Sequence, residues 1–414
     1  MFRALRYRNF RLFFAGQSIS LVGTWIQMIA LSWLVYDMTH STFMLGLVGF
    51  ISRIPSLLFA PIAGVFADRM NKYKLLYLTQ ILAMVQAAII TILLFTNTIE
   101  IWHIIVLGIF LGIINSFDMP VRQSFVIELI EDKDDLSNAI ALNSAMVNGA
   151  RLIGPTIAGV LIAAFGESWC FLLNSLSFIA ILLTLSFMKI PKSFREKKSE
   201  SHMKKLKDGF KYAYDFLPIR YILLLLSLIS LMGMPFQILM PYFAKDVFHG
   251  GPNALGFLMA ATGVGALIGA LYLAYRKSVL GLGKNLIYAS LIFGVGLIIF
   301  SFSGNLWLSL IILVFTGFGM MVEITASNTL LQTLSEDDKR GRVMSFYTLA
   351  FMGTVPLGNL LTGFLSDLVG VQYTILFGGV SCIMGAIFFA FKLPEIRKYS
   401  RPVYIKKEII ILEE

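Results

Sequence analysis

The feature that most constrains this chain is a series of long apolar stretches that recurs from one end to the other. A helix needs roughly 20 apolar residues to cross the hydrocarbon core of a bilayer. Unpaired backbone groups are costly in lipid, and these stretches are too uniformly apolar for alternating barrel strands, so we expect helices. Twelve spans are predicted, at 12–36, 43–67, 75–96, 101–121, 138–165, 168–188, 219–244, 253–275, 285–303, 305–330, 343–367 and 371–391.

Composition agrees with a protein whose surface faces lipid. Charged residues make up 14% of the 414 positions and hydrophobic residues 57%, whereas soluble domains carry about 25% charged residues. The sequence therefore predicts an all-α membrane protein.

Basic residues are distributed unevenly between the predicted loops. With the N-terminus placed in the cytoplasm, all but three of the 34 Lys and Arg residues fall in predicted cytoplasmic segments. The exceptions are Arg53 and Arg151, inside spans, and Lys245 at the end of a span. The positive-inside rule gives this bias when both termini are cytoplasmic. The net charge of +10 thus indicates topology and contact with anionic lipid headgroups, and not nucleic-acid binding.

The remaining composition argues against processing, metal binding and disulfides. The first apolar stretch is too long for a signal-peptide core and no small-residue cleavage pattern follows it, which predicts a retained first helix. Cys170 and Cys382 both lie within spans and form no CxxC motif, and the four histidines have no ligand spacing. We expect no metal, no cofactor and a monomer.

The two halves of the chain resemble each other in sequence. Residues 112–132 (GIINSFDMPVRQSFVIELIED) match 317–337 (GFGMMVEITASNTLLQTLSED) at a constant offset of 205, and 159–166 (GVLIAAFG) match 363–370 (GFLSDLVG). Ordered matches of this kind predict two parallel repeats, a transporter design with substrate bound near the midplane. The predicted organisation is a six-helix bundle at 1–188, a basic cytoplasmic linker at 189–218, a second six-helix bundle at 219–391 and a cytoplasmic tail at 392–414.

The loop between the second and third spans carries a recognisable pattern. Residues 64–74 (GVFADRMNKYK) resemble the major facilitator loop signature GxxxDRxGRR/K, with Asn71 in place of the usual glycine. The resemblance implies a latch that holds the two halves together on the cytoplasmic side; otherwise this is a basic loop that follows the topology rules. The predicted gate residues are Gly64, Asp68, Arg69, Lys72, Asp118 and Arg122.

The fifth span carries a second pattern. Residues 150–159 (ARLIGPTIAG) resemble the GxxxGPxxGG motif of exporters in the same superfamily. Small residues permit close helix contact and Pro155 bends the helix, so Arg151, Gly154, Pro155 and Gly159 are predicted to form a packed seam. Ordinary membrane-helix packing is the alternative.

Charged residues inside spans are costly and point to function. Asp118 and Arg122 share a helix face, which predicts an ion pair acting in the gate or as a structural clamp. Glu323 is either a proton-carrying site or a hydrogen-bonded structural carboxylate. The proton-coupling candidates are Glu323, Asp118 and Asp37, and the substrate-cavity candidates are Gln27, Arg53, Arg151 and Gln237. A cavity-facing Arg151 would attract an anionic or polar substrate; paired with a carboxylate it would be structural.

Over its whole length the chain resembles bacterial major facilitator exporters of the macrolide-efflux and enterobactin-exporter group. The resemblance is densest in 7–41, 61–69 and 116–130. It implies the major facilitator fold, a bacterial inner-membrane location, and export of a small hydrophobic or amphipathic molecule by alternating access, driven by the proton gradient. Proton-coupled uptake is the main alternative. A primary pump would need a GxxxxGK[ST] loop, which is absent, and no HExxH or similar cluster supports a membrane-embedded enzyme.

Overall fold

The computed structural model describes residues 3–59, 63, 70–189, 212–276, 278–337 and 339–409, and within these ranges no strand is present. Twelve helices are long and apolar enough to cross a membrane, so the predicted number of spans is confirmed. They are α1 (Arg8–Thr39), α2 (Thr42–Phe59), α3 (Lys72–Phe95), α4 (Ile101–Glu128), α5 (Leu136–Phe165), α6 (Glu167–Ser186), α7 (Leu217–Val247), α8 (Gly251–Ala274), α9 (Leu282–Ser301), α10 (Leu306–Leu334), α11 (Arg340–Val369) and α12 (Val371–Lys406).

The chain divides into two compact units. The first comprises Met1–Ser199 with Met240–Ala260, and the second Glu200–Leu239 with Ala261–Glu414. The first unit therefore includes the last residues of α7 and the first residues of α8 in addition to α1–α6. Most of the predicted linker at 189–218 lies outside the described residues. In each unit we call the side on which its first helix begins the terminus side.

The first unit is built around α1, α3 and α6. The α1 helix packs against α6 and α5, and α3 packs against α6 and α4, while α2 lies against α1 and α4. Phe10 and Phe13 of α1, Leu76 of α3 and Ile181 of α6 are buried together on the terminus side of this core. Large apolar side chains that interdigitate here fix the spacing of the helices.

The second unit uses the same helix pairs, six helices later. The α7 helix packs against α12 and α11, and α9 packs against α12 and α10. The helix sets α1–α6 and α7–α12 thus have the same internal order of contacts. The parallel repeat that the sequence predicts is confirmed.

Matched glycines in the two repeats have matched structural roles. Gly166 (φ 87°) is the single residue between α5 and α6, and Gly370 (φ 91°) is the single residue between α11 and α12. L-residues other than glycine rarely adopt positive φ. Gly112 packs against α2, with an added Cβ atom only 3.0 Å from Pro55 Cγ, and its repeat partner Gly317 packs against Thr262 of α8.

The α7 helix is irregular over its second half. It passes from a π-helical segment (Ile229–Gly233) through a 3₁₀ segment (Met234–Leu239) to a second π-helical segment (Phe243–Val247). Such segments bend a helix and are frequent at functional sites. Pro235 and Pro241 lie in this region and each lacks the backbone donor that a regular helix needs.

The α12 helix continues to Lys406, past the end predicted for the last span at residue 391. Leu393 and Ile396 are buried, and the amine of Lys407 donates to the carbonyl oxygens of Thr333 and Ser335 at the end of α10 (2.8 and 3.0 Å). A cation at a helix C-terminus satisfies free carbonyl groups and the helix dipole. Most of the predicted tail is therefore helix attached to the second unit.

Candidate functional site

Asp118, in the buried part of α4, joins α4 to α3. Its Oδ1 accepts hydrogen bonds from Thr79 Oγ1 (2.9 Å) and Gln80 Nε2 (2.7 Å), both on α3. Its Oδ2 pairs with Arg122, one turn further along α4. The side chain is only 4% exposed, so both carboxylate oxygens have protein partners in a site that is nearly inaccessible to water. The structure contains the ion pair that the sequence suggests, and the role of this pair in gating stays a prediction.

The rest of the predicted gate is described only in part. Gly64, Asp68 and Arg69 lie outside the described residues. Lys72 begins α3 and its amine contacts Glu128 at the end of α4, with an N···O distance of 2.5 Å. The terminus-side ends of α3 and α4 are therefore held together by the Lys72–Glu128 pair and by the hydrogen bonds from Thr79 and Gln80 to Asp118.

Gln27 lies in a buried amide cluster of the first unit. Its Nε2 donates to Gln86 Oε1 on α3 (3.1 Å), and its Oε1 accepts from Asn174 Nδ2 on α6 (2.6 Å). Ser177 donates to Asn174 Oδ1 (3.2 Å). All four residues are buried. The predicted cavity residue Gln27 thus links α1 to α3 and α6, and its hydrogen bonds to these helices replace those with water.

The α5 seam contacts two different helices. Gly154 faces Trp25 of α1, and an added Cβ atom there would collide with the tryptophan side chain. Gly159 faces α8: its added Cβ atom would lie 3.0 Å from Gly256 Cα, and one on Gly256 would lie 3.0 Å from the Pro155 carbonyl oxygen. The α5 and α8 backbones therefore touch with no side chain between them.

This crossing gives a first prediction, on Gly159. Alanine at Gly159 is expected to lower the free energy of unfolding by about 1–3 kcal/mol, because overpacking displaces α8. Alanine at Gly149, one helix face away on α5, meets nothing within 4 Å and should be neutral or stabilising by up to about 1 kcal/mol. Thermal unfolding of both purified variants distinguishes them. Equal stability of the two would contradict the close crossing.

A second polar contact set joins α1 to α7 at the side opposite the terminus side. The Tyr36 hydroxyl donates to Asp246, and Lys245 pairs with Asp37, with an N···O distance of 2.5 Å. Lys245 also lies over the Trp33 ring, 5.9 Å from its centroid. We call Tyr36, Asp37, Lys245 and Asp246 the α1–α7 latch. It places Asp37, a predicted proton-coupling residue, in an ion pair.

Arg151 and Arg53 approach the same face of α1. The Arg151 guanidinium carbon lies 5.8 Å from the Trp25 ring centroid, and Arg53 Nη2 lies 4.0 Å from Met28 Sδ. Trp25 and Met28 are about one helical turn apart on α1, so the two arginines contact neighbouring positions. The structure therefore brings two predicted cavity residues together, on a helix face different from that of Gln27.

Glu323 and Gln237 lie in the second unit. Glu323, on α10, is completely buried; its Oε1 accepts from Ser327 Oγ (3.1 Å), and its Oε2 has no hydrogen-bond partner among the described residues. Gln237, in the 3₁₀ segment of α7, is half-buried with Nε2 3.9 Å from Met320 Sδ. No group of three or more metal-binding side chains is found in the described part of the chain.

Sequence reasoning missed several residues that the structure brings into these sites. Thr79 and Gln80 complete the Asp118 site, and Tyr36 and Asp246 complete the latch. Each is a polar residue in or beside an apolar span, which is a usable signal. The partner of each could not be predicted, because it lies on a helix that is distant in sequence.

Comparison with known proteins decides the family. The sequence profile of the transmembrane secretion effector family, a branch of the major facilitator superfamily, matches residues 1–407. The chain belongs to this family. The resemblance to major facilitator exporters seen in the sequence is thereby confirmed.

Individual members and a solved structure agree with this assignment. The chain is 30% identical to the staphyloferrin A transporter of Staphylococcus aureus, over 92% of this chain and 95% of that protein. It is 22% identical to macrolide efflux protein A of Streptococcus pyogenes, over 95% and 98%. A bacterial homologue of the lysosomal transporter Spinster, solved in an inward-facing, occupied conformation, shares the fold with a TM-score of 0.74 at 12% identity, over 95% of this chain and 98% of that chain.

The family gives this protein's general activity. Its members are transporters and not enzymes, so this is a multi-pass membrane transporter of the major facilitator fold. The buried polar sites described above are therefore sites in a transport protein.

Proposed function

We propose that this transporter is a proton-coupled exporter of small amphipathic compounds that works by alternating access in the bacterial cell membrane. The observation that carries the proposal is the α1–α7 latch, which joins polar groups of α1 to the end of an irregular α7. Hydroxyl–carboxylate and ammonium–carboxylate contacts can exchange their partners for water at modest cost. The efflux relative supports export, and the positive-inside bias supports cytoplasmic termini. A monomer is sufficient for this cycle.

In this scheme the latch closes the outer side of the transporter. The α5–α8 glycine crossing involves the same segment, Met240–Ala260, which packs with α1 and α5 in the first unit. Opening to the outside requires the latch contacts to break. A ligand or proton that binds the outward-open state more tightly shifts the population from the latched state to the open one.

Transport into inverted membrane vesicles tests this proposal. Macrolides, dyes and catecholate siderophores are offered under an inside-acid pH gradient, with vesicles lacking the protein as the control. Gradient-dependent accumulation that a protonophore abolishes is the expected result. Accumulation in right-side-out vesicles instead would indicate uptake. Substrate transport that does not depend on the pH gradient would exclude proton coupling.

Glu323 is our candidate for the proton site. A carboxylate ion with a single hydroxyl donor in an apolar interior is strongly disfavoured, so in this conformation we propose that Glu323 carries a proton. It would release the proton when a change of conformation hydrates it. This use of Glu323 needs no neighbouring cation.

Glutamine at Glu323 is expected to reduce gradient-driven transport by about tenfold or more, because the side chain can no longer release a proton. Substrate exchange without a gradient should persist, since glutamine keeps the shape and a hydrogen-bonding group. The matched control is glutamine at Glu336, an exposed carboxylate just beyond α10 that pairs with Lys339. Loss of exchange together with driven transport would assign Glu323 a structural role.

A further inference from the structure

Two arginines of the first unit, Arg53 and Arg151, lie inside membrane-spanning helices. Arg151 is near the midpoint of α5, and Arg53 lies within α2, three turns after Thr42 and six residues before Phe59. Within the described residues, neither forms a salt bridge with a carboxylate. The carboxylates of Asp118, Asp37 and Asp246 are occupied by other partners. An arginine inside such a helix needs either a partner or water.

Exposure indicates that these arginines reach water. Arg53 is exposed and Arg151 is half-buried. An exposed guanidinium in the hydrocarbon core would cost several kcal/mol, so such groups face a water-filled opening and not lipid. The opposite face of α1 holds Gln27 in the buried amide cluster. Trp25 and Met28 are half-buried, so the face of α1 that carries them is partly open.

The groups on this face combine charge with an apolar surface. Trp25 and Met28 are three residues apart on α1 and lie on the same side of the helix. Arg151 reaches over the Trp25 ring and Arg53 reaches Met28 Sδ. Guanidinium groups bind carboxylates through two parallel hydrogen bonds. An indole ring and a thioether provide adaptable apolar contact.

We propose that Arg53, Arg151, Trp25 and Met28 form a binding site for an organic anion, a carboxylate that carries an apolar group. The carboxylate lies between the two guanidinium groups and offsets their mutual repulsion, and its apolar part lies against Trp25. The inference rests on the proposed transport function and assigns its substrate class.

Equilibrium binding of three matched probes tests the site. The purified full-length chain in zwitterionic-lipid nanodiscs is titrated with pyrenebutyrate, pyrenebutanol and pyrenebutyl-trimethylammonium, and pyrene anisotropy is measured. The carboxylate is expected to bind about tenfold or more tighter than the alcohol, the gain of a charge-assisted hydrogen bond, and the ammonium weakest. Equal affinity for carboxylate and alcohol, preference for the ammonium, or no binding of the carboxylate each overturns the proposal.

Variants locate the site. Glutamine at Arg53 or at Arg151 should weaken pyrenebutyrate binding by about tenfold and leave pyrenebutanol unchanged. Glutamine at Arg220, which stacks on Tyr214 and Tyr221, is the control and should change neither. Selectivity that survives both arginine changes overturns the assignment. If the glutamine variants do not fold, lysine variants replace them, with weaker carboxylate binding expected because the two-point contact is lost.

The binding experiment is independent of the proton gradient. Carboxylate selectivity without gradient-driven efflux would refute the proposed function and keep the site. Gradient-driven efflux of neutral compounds without carboxylate selectivity would refute the site and keep the function.

Discussion

Replacing Asp118 with alanine is expected to lower the free energy of unfolding by about 3 kcal/mol, because it leaves Arg122 as a half-buried charge without its partner. Thr79 and Gln80 lose an acceptor at the same time, and the contact between α3 and α4 weakens. We expect transport to be lost as well. A thiol-reactive dye measures unfolding directly, since Cys170 and Cys382 are buried and free.

A second change should restore much of this stability. Leucine at Arg122 in the Asp118→Ala background removes the unpaired charge, and deleting both partners of a buried pair is far less costly than deleting one. Glutamine at Glu128, which breaks the exposed pair with Lys72, is the control and should cost less than about 1 kcal/mol. If Asp118→Ala were as mild as this control, Asp118 would not be the clamp between α3 and α4.

Fixing the α1–α7 latch is expected to stop transport. With cysteine at Asp37 and at Lys245, a short bis-methanethiosulfonate reagent joins the two helix ends through disulfides. Efflux from inverted vesicles should fall by roughly tenfold or more, because a protein held in one state cannot alternate. A reductant that cleaves the link should restore transport.

Single-cysteine variants treated with the same reagent are the matched controls. Each breaks only one exposed ion pair, whose loss costs about 1 kcal/mol or less, so both should transport nearly as well as the unmodified protein. Full transport by the cross-linked double variant would show that the latch contacts do not separate during the cycle.

Much of the fold could be predicted because its signals are local. Each span is a run of apolar residues whose length is set by the bilayer, and Gly166 and Gly370 mark matched turns. The extension of α12 to Lys406 was not predictable from hydropathy, because the segment after residue 391 is rich in charge. It is stabilised by burial of Leu393 and Ile396 and by Lys407 at the end of α10.

For the candidate sites, too, the sequence predicted some features and not others. The sequence identified Asp118, Arg122, Arg53, Arg151 and Glu323 as charges inside apolar helices. It did not distinguish the face of α1 that holds Gln27 from the face that holds Trp25. A membrane helix that is apolar on nearly every side has no amphipathic pattern to mark its buried face.

By itself, the sequence determined the twelve spans, the parallel repeat and the family resemblance, because these depend on composition, spacing and order along the chain. Only the tertiary structure decided which polar groups meet. It paired Lys245 with Asp37 and gave Asp118 its donors from α3. It left Arg53 and Arg151 together without a carboxylate in the described part of the chain. Such pairings depend on helix rotation and on contacts between distant segments, and packing fixes both.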